Sequence, residues 1–140
     1  MILVDSNIIM CAAGVEHPHK RLSLGYLERV ADGEVEAVID AQVLQEILHR
    51  YSTIGQADEG RAVYDLTRQI FPLVLPISSD ILDRARVLLD EHPGLVARDA
   101  LHAAVVEAHD LDGICSYDQD LDVLEDLRRI EPPACTEASA

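Results

Sequence analysis

An α/β fold is what this sequence predicts, with a central, mostly parallel sheet of four to five strands and helices on both faces. Three observations lead there. Short runs of branched apolar residues ("MILV", "EAVID", "PLVLPIS", "DGICS" and "LRRIEP") alternate with stretches whose apolar residues recur at helical spacing. Strands that alternate with helices pair in parallel through crossover connections, and such sheets are covered on both sides. No repeat or linker interrupts the 140 residues, a length that suits one domain. We expect that domain over residues 1–132, followed by a flexible C-terminal tail, "PACTEASA", over 133–140.

The elements follow in order. "MILV" has the branched character of a buried strand. Asp5 and Ser6 end it and are suited to cap a helix that starts near Asn7. His17-Pro18-His19 marks a break, after which a helix from Lys20 to Ala31 is closed by Asp32-Gly33. Residues 36–40 read as the second strand, and "AQVLQEILHRYS" has apolar residues at 43, 44, 47, 48 and 51, the stripe of an amphipathic helix. "TIGQADEG" is a loop or a weak helix start before a helix over 61–71. "PLVLPIS" is the third strand, with prolines at its margins. "SSDILDRARVLLDEH" is a capped helix stopped by His92-Pro93-Gly94. "LVARDALHAAVVEAH" follows, a helix apolar almost all round and therefore buried. "DGICS" is the fourth strand, "DQDLDVLED" a loop with a short helix, and "LRRIEP" the fifth strand.

Composition narrows the function. With 11 basic against 26 acidic residues the net charge is −15, which disfavours nonspecific coating of nucleic acid and suits a metal-dependent site or a basic protein partner. Cys11, Cys115 and Cys135 show no metal-ligand spacing and leave one over if paired, as expected of reduced thiols in a cytoplasmic protein. The apolar start lacks a basic leader and is broken by Asp5, so no signal peptide is expected, and no run approaches a membrane span.

In parallel sheets, sites gather beyond the carboxyl ends of the strands. Asp5 follows the first strand, and Asp118 follows the fourth, two residues past Ser116. Glu46 lies in the helix launched from the second strand, and Asp99 lies in the first turn of the helix that leads back to the fourth. Each has a simpler reading. Asp5 suits a helix cap, Glu46 a solvated helix face, and Asp99 a partner of the helix dipole. Asp118 sits in a crowd with Asp120, Asp122, Glu125 and Asp126. Together, however, four acids from remote segments converge on one rim. Clustered carboxylates raise one another's pKa unless a cation shares the site. Oxygen donors without thiolates favour Mg²⁺ or Mn²⁺ over Zn²⁺, and such sites hydrolyse phosphodiesters.

The combination of "VDSNI", a helical Glu46, "ARDALHAA" and "CSYDQDLD" resembles the PIN-domain family, and more narrowly the VapC-type toxins of bacterial toxin–antitoxin pairs. The resemblance covers nearly the whole chain. It implies a PIN-like three-layer fold and a metal-dependent endoribonuclease whose acidic quartet maps onto Asp5, Glu46, Asp99 and Asp118. Asp5 and Asp99 match the positions most often given as magnesium ligands. Ser6 or Asn7 and Ser116 match small polar positions that hold those acids. It further implies an RNA substrate, a cognate basic VapB-like antitoxin and a homodimer. Leu121 stands where the family often has an aromatic residue, and Asp120 matches a position that is sometimes acidic. His102 shares a helix face with Asp99 and is read as a packed or hydrogen-bonded structural histidine, since Mg²⁺ disfavours imidazole. Arg98 suits either an RNA phosphate or a surface ion pair.

Other classes fit less well. A haloacid-dehalogenase-type phosphatase needs a second Asp where Asn7 stands, and a receiver domain needs a late lysine, whereas Lys20 is the sole lysine. A calcium loop lacks its turn glycine at Val123 and its first ligand at Ala108. The alternative that remains is a non-catalytic PIN-fold binding or scaffold module.

Overall fold

In a computed structural model, residues 1–133 are described, so all of the expected tail over 133–140 except Pro133 lies outside the described residues. Five parallel strands form one sheet in the order β3-β2-β1-β4-β5. The strands are β1 (Ile2–Val4), β2 (Ala37–Asp40), β3 (Val74–Leu75), β4 (Gly113–Cys115) and β5 (Arg129–Ile130). The helices are α1 (Ser6–Ala13), α2 (Pro18–Ala31), α3 (Ala41–Thr53), α4 (Ala57–Ile70), α5 (Ser79–Glu91) and α6 (Ala97–Ala108), with a 3₁₀ turn over Gln119–Val123. The expected class is the observed one.

Period-two alternation along the central strands divides the core. Leu3 pairs in register with Val38 and Ile114, and all three face α5 and α6 with Ile81, Leu88, Ala100 and Val105. Their neighbours Val4, Ile39 and Cys115 face the other side with Ile8, Val43, Ile47 and Phe71. Each central strand therefore buries both faces, which explains why β1, β2 and β4 read as apolar runs, while the edge strands β3 and β5 are only partly buried.

Three boundaries differ from expectation. Helix α2 starts at Pro18, two residues early, because proline has no N–H to leave unsatisfied in a first turn and His17 caps the helix by accepting the His19 N–H. Helix α4 starts at Ala57 inside the "TIGQADEG" stretch: Asp58 and Glu59, which look like loop residues, sit in its first turn and face the positive end of its dipole. Strand β3 shrinks to Val74–Leu75, since the prolines at 72 and 76 cannot donate to a ladder and confine pairing at this edge.

Helices α3 and α4 meet where Gly60 faces Tyr51. A Cβ on Gly60 would lie 2.5 Å from the Tyr51 Cβ. Gly60→Ala would favour an isolated helix by about 1 kcal/mol, yet here it is expected to destabilise the protein by about 1–3 kcal/mol through overpacking. Urea denaturation measures it, and an unchanged or higher midpoint would contradict the close approach.

Candidate functional site

Because all five strands run the same way, their carboxyl ends deliver residues to one rim. Asp5 leaves β1 there, with its backbone N–H still paired to the Cys115 carbonyl at 3.0 Å. One of its carboxylate oxygens accepts the Ser6 N–H at 2.7 Å and caps α1. The other accepts the Ser116 hydroxyl at 2.7 Å and the Asn7 side-chain amide at 3.3 Å. Asn7 also donates to Ser116 Oγ at 2.9 Å and accepts the Tyr117 N–H at 3.1 Å, tying α1 to the end of β4. The Ser6 hydroxyl donates to Glu46 on α3. Asp118 caps the 3₁₀ turn by accepting the Asp120 N–H at 3.0 Å, while its own N–H donates to Ser116 Oγ at 3.0 Å.

Behind these acids lies His102 on α6, fully buried. Its Nδ1 is 2.7 Å from Asp40 Oδ2, its Nε2 is 3.1 Å from Glu46 Oε1, and Asp5 Oδ1 is 3.6 Å from the same Nε2. Both ring nitrogens meet carboxyl groups, which only accept when ionised, and this arrangement favours the imidazolium form of the ring. Burial works against that charge. The hydrogen bonds to Asp40 and Glu46 and the field of Asp40 and Asp5 outweigh it and raise the His102 pKa well above its ordinary value. In return, although burial opposes it, the bonds from His102 and Ser6 hold Glu46 below the usual carboxylate range. Asp5 is raised, because its burial exceeds what His102 and Ser116 offset. Asp5, Glu46 and His102 place potential ligand atoms within 4.8 Å of one another; in its imidazolium form the ring has no lone pair for a cation.

Asp99 occupies the third position of α6 after Val96, which begins the helix with no side-chain cap. Its carboxylate is 1% exposed, and Oδ2 has no hydrogen-bond donor among the described residues. Asp99 therefore is not a capping residue here. Burial, then Asp118 and Asp5 beside it, push its pKa up to about 7, and Arg98 offsets only part of this. Arg98 Nε stands 3.9 Å from Asp99 Oδ1 and is largely solvent-exposed.

The rim opens into a cleft of about 380 Å³, lined by Asp5, Glu46 and Asp118 and flanked by His49, Arg50 and Arg98. A larger hollow of about 630 Å³ between α5, α6 and residues 123–127 is lined by Glu91, Glu107, Asp110, Glu125 and Asp126, but these acids are all exposed, whereas Asp5 at the rim is buried, so neither size nor the number of acids marks the site. Asp5 and Glu46 are linked through Ser6 and His102, and Asp99 lies within the electrostatic reach of Asp5 and Asp118. Asp120 is exposed and donates its N–H to Asp118. His102 is hydrogen-bonded, as expected, but the charge of its partners was not legible. In sequence Asp40 carries no signal beyond that of a strand end. It ends β2 and caps α3 by accepting the Val43 N–H at 3.0 Å, and a capping reading would have been correct for only one of its oxygens.

Residues 2–127 match a family model described as the PIN domain. The VapC ribonuclease Mb1869c of Mycobacterium bovis is 40% identical over 130 residues, covering 93% of this chain and 99% of the relative. Ribonuclease VapC23 of Mycobacterium tuberculosis is 31% identical over 121 residues, covering 86% of this chain and 95% of the relative. A solved toxin-antitoxin complex from Klebsiella pneumoniae superposes with a TM-score of 0.65 at 21% identity, covering 95% of this chain and 98% of that one. At that identity the likeness is one of fold.

Two predictions follow from the charges at the rim. Replacing His102 by Ala strips a buried carboxylate of its counter-charge, which costs roughly 3–5 kcal/mol. Adding Asp40→Ala to that variant should recover part of the loss, as a double-mutant cycle by urea denaturation would read; strict additivity would refute the pair. The second concerns Asp99, whose pKa is about 7 in the folded chain against an ordinary 3.8. Well below pH 3.8 both folded and unfolded states hold the proton and the group is neutral to stability. As pH rises towards 7 the unfolded chain ionises freely and the folded chain resists, so stability is lost. The melting temperature of metal-free Asp99→Asn should therefore gain on wild type between pH 4 and pH 7 and level off above. A difference independent of pH would show that Asp99 ionises normally.

Proposed function

The chain belongs to the PIN-domain family, and from that premise we propose that it is a metal-dependent endoribonuclease, the toxin of a toxin–antitoxin pair. The reading covers one PIN-like domain over residues 1–132. Asp5, Glu46, Asp99 and Asp118 are its metal-holding and catalytic acids, and Mg²⁺, or Mn²⁺ in its place, is its cation. One observation carries the metal assignment. The buried Asp99 oxygen has no donor, and the acids on either side of it only raise its proton affinity. Oxygen donors with a surplus of negative charge suit a hard divalent cation.

A cation held by these acids would polarise a phosphodiester oxygen and lower the pKa of a bound water. The chain's own residues do the rest. Ser6, Asn7 and Ser116 lock both oxygens of Asp5, so that the carboxylate cannot rotate away. The His102 ring fixes Glu46 and prevents the cluster from being purely repulsive when no metal is present. Arg50 and Arg98 line the cleft. They would meet the phosphates of RNA locally, against the repulsion of a chain whose net charge is −15. The same charge suits a basic, VapB-like antitoxin that covers the cleft, and we assign the chain to the cytoplasm as a homodimer. Among the described residues no helix is long and apolar enough to cross a membrane.

Incubating the purified protein with total RNA and Mg²⁺ or Mn²⁺ should yield internal cleavage that EDTA stops. Asp99→Asn should lower the rate by more than the roughly 10–100-fold that loss of a merely supporting residue costs. Mg²⁺ should also raise the melting temperature of wild type more than that of this variant, through ligand linkage. Cleavage that persists in EDTA would remove the metal from the mechanism. A protein that binds Mg²⁺ yet cleaves no RNA would be the scaffold module instead.

A further inference from the structure

We propose that Cys11, His17 and His19 form a second cation site, suited to a borderline-soft ion such as Zn²⁺ and separate from the carboxylate rim. Cys11 lies near the end of α1, His17 caps α2, and His19 lies in the first turn of α2. The short turn between the helices brings one potential ligand atom of each within 4.8 Å of the others. A thiolate and two imidazoles are donors for Zn²⁺ or Co²⁺ and poor ones for Mg²⁺, so this site and the rim select different ions. Cys11 and His19 are half-buried and His17 is exposed. An ion can therefore enter from solvent, with its fourth position open to water.

His19 and the turn are held in place before any ion arrives. The His19 ring stacks on Tyr117 with centroids 4.1 Å apart and planes 4° from parallel. The Tyr117 hydroxyl donates to the His19 carbonyl at 3.3 Å and lies 2.8 Å from Ser23 Oγ. Lys20 Nζ donates to the Gly14 carbonyl at 2.7 Å and closes the turn. One contact opposes binding. His17 Nδ1 accepts the His19 N–H at 3.1 Å. A ring that gives one nitrogen to a metal and keeps its proton on the other has no lone pair left for that cap, so binding costs the cap. Cysteine spacing alone shows no ligand pattern; the partners of Cys11 are the two histidines of "HPH". Tyr117 directly precedes Asp118 and its N–H is held by Asn7, so an ion at this corner braces the segment that carries Asp118.

The test titrates the metal-free full-length protein with Co²⁺, whose thiolate-to-metal charge-transfer absorption reports a Cys–Co bond. Wild type should show that band saturating at one equivalent. Cys11→Ser should abolish it, and His17→Gln and His19→Gln should each weaken apparent affinity by about tenfold or more. Asp99→Asn should leave it intact, which separates this site from the proposed nuclease centre. On wild type alone, Zn²⁺ should shift the imidazole NMR resonances of His17 and His19, a readout that needs no variant to fold. No band, a band that survives Cys11→Ser, or unmoved imidazole resonances would overturn the site.

Discussion

Carboxylates gathered at the edge of a sheet repel one another, and here the repulsion is met from inside the protein by the His102 ring, wedged among Asp40, Glu46 and Asp5. A buried imidazolium would itself be costly, and buried acids would prefer to stay protonated; each makes the other's charged form tolerable. The arrangement also joins elements. Asp40 ends β2, Glu46 belongs to α3, Asp5 ends β1, and His102 belongs to α6 on the opposite face of the sheet from α3. One ring thus bonds across the sheet's edge to both layers of helices.

The compensation stops short of Asp99 and Asp118. Asp118 and Asp5 act on Asp99, and Arg98, which offsets part of their effect, is held loosely at 3.9 Å. The rim therefore has two halves. One is neutralised by the protein itself, and its groups are oriented whether or not a ligand is present. The other keeps an excess of negative charge and an oxygen with no donor. Pre-organisation of the first half lowers what must be ordered when something binds to the second.

Most of the fold was legible because its signals are local. Branched apolar runs mark strands buried on both faces, and the Ser78 and Asp5 caps mark helix starts. The weak points were the boundaries where polar residues serve a helix terminus, as with Asp58 and Glu59 in α4. That four remote acids gather was legible because the parallel topology sends particular sequence positions to one edge. Their support was not. Asp40 satisfies every local expectation of a cap with one oxygen, and the contact made by its other oxygen spans 62 positions to His102. A capping pattern carries no trace of such a partner. The same holds for Cys11 beside His17 and His19, where a helix break in sequence is a corner in space.

The central place of β1 in the sheet has a consequence for the order in which the molecule comes into being. β1 pairs with β2 on one side and with β4 on the other, and 111 positions separate Asp5 from the Ser116 hydroxyl that fixes it. A chain growing from its amino end can lay β2 beside β1 early, yet it leaves the other edge of β1 bare until β4 emerges. Asp99 and Asp118 arrive in that same late stretch. The first acid synthesised waits for the last, and a nascent chain still joined to its message holds half a rim.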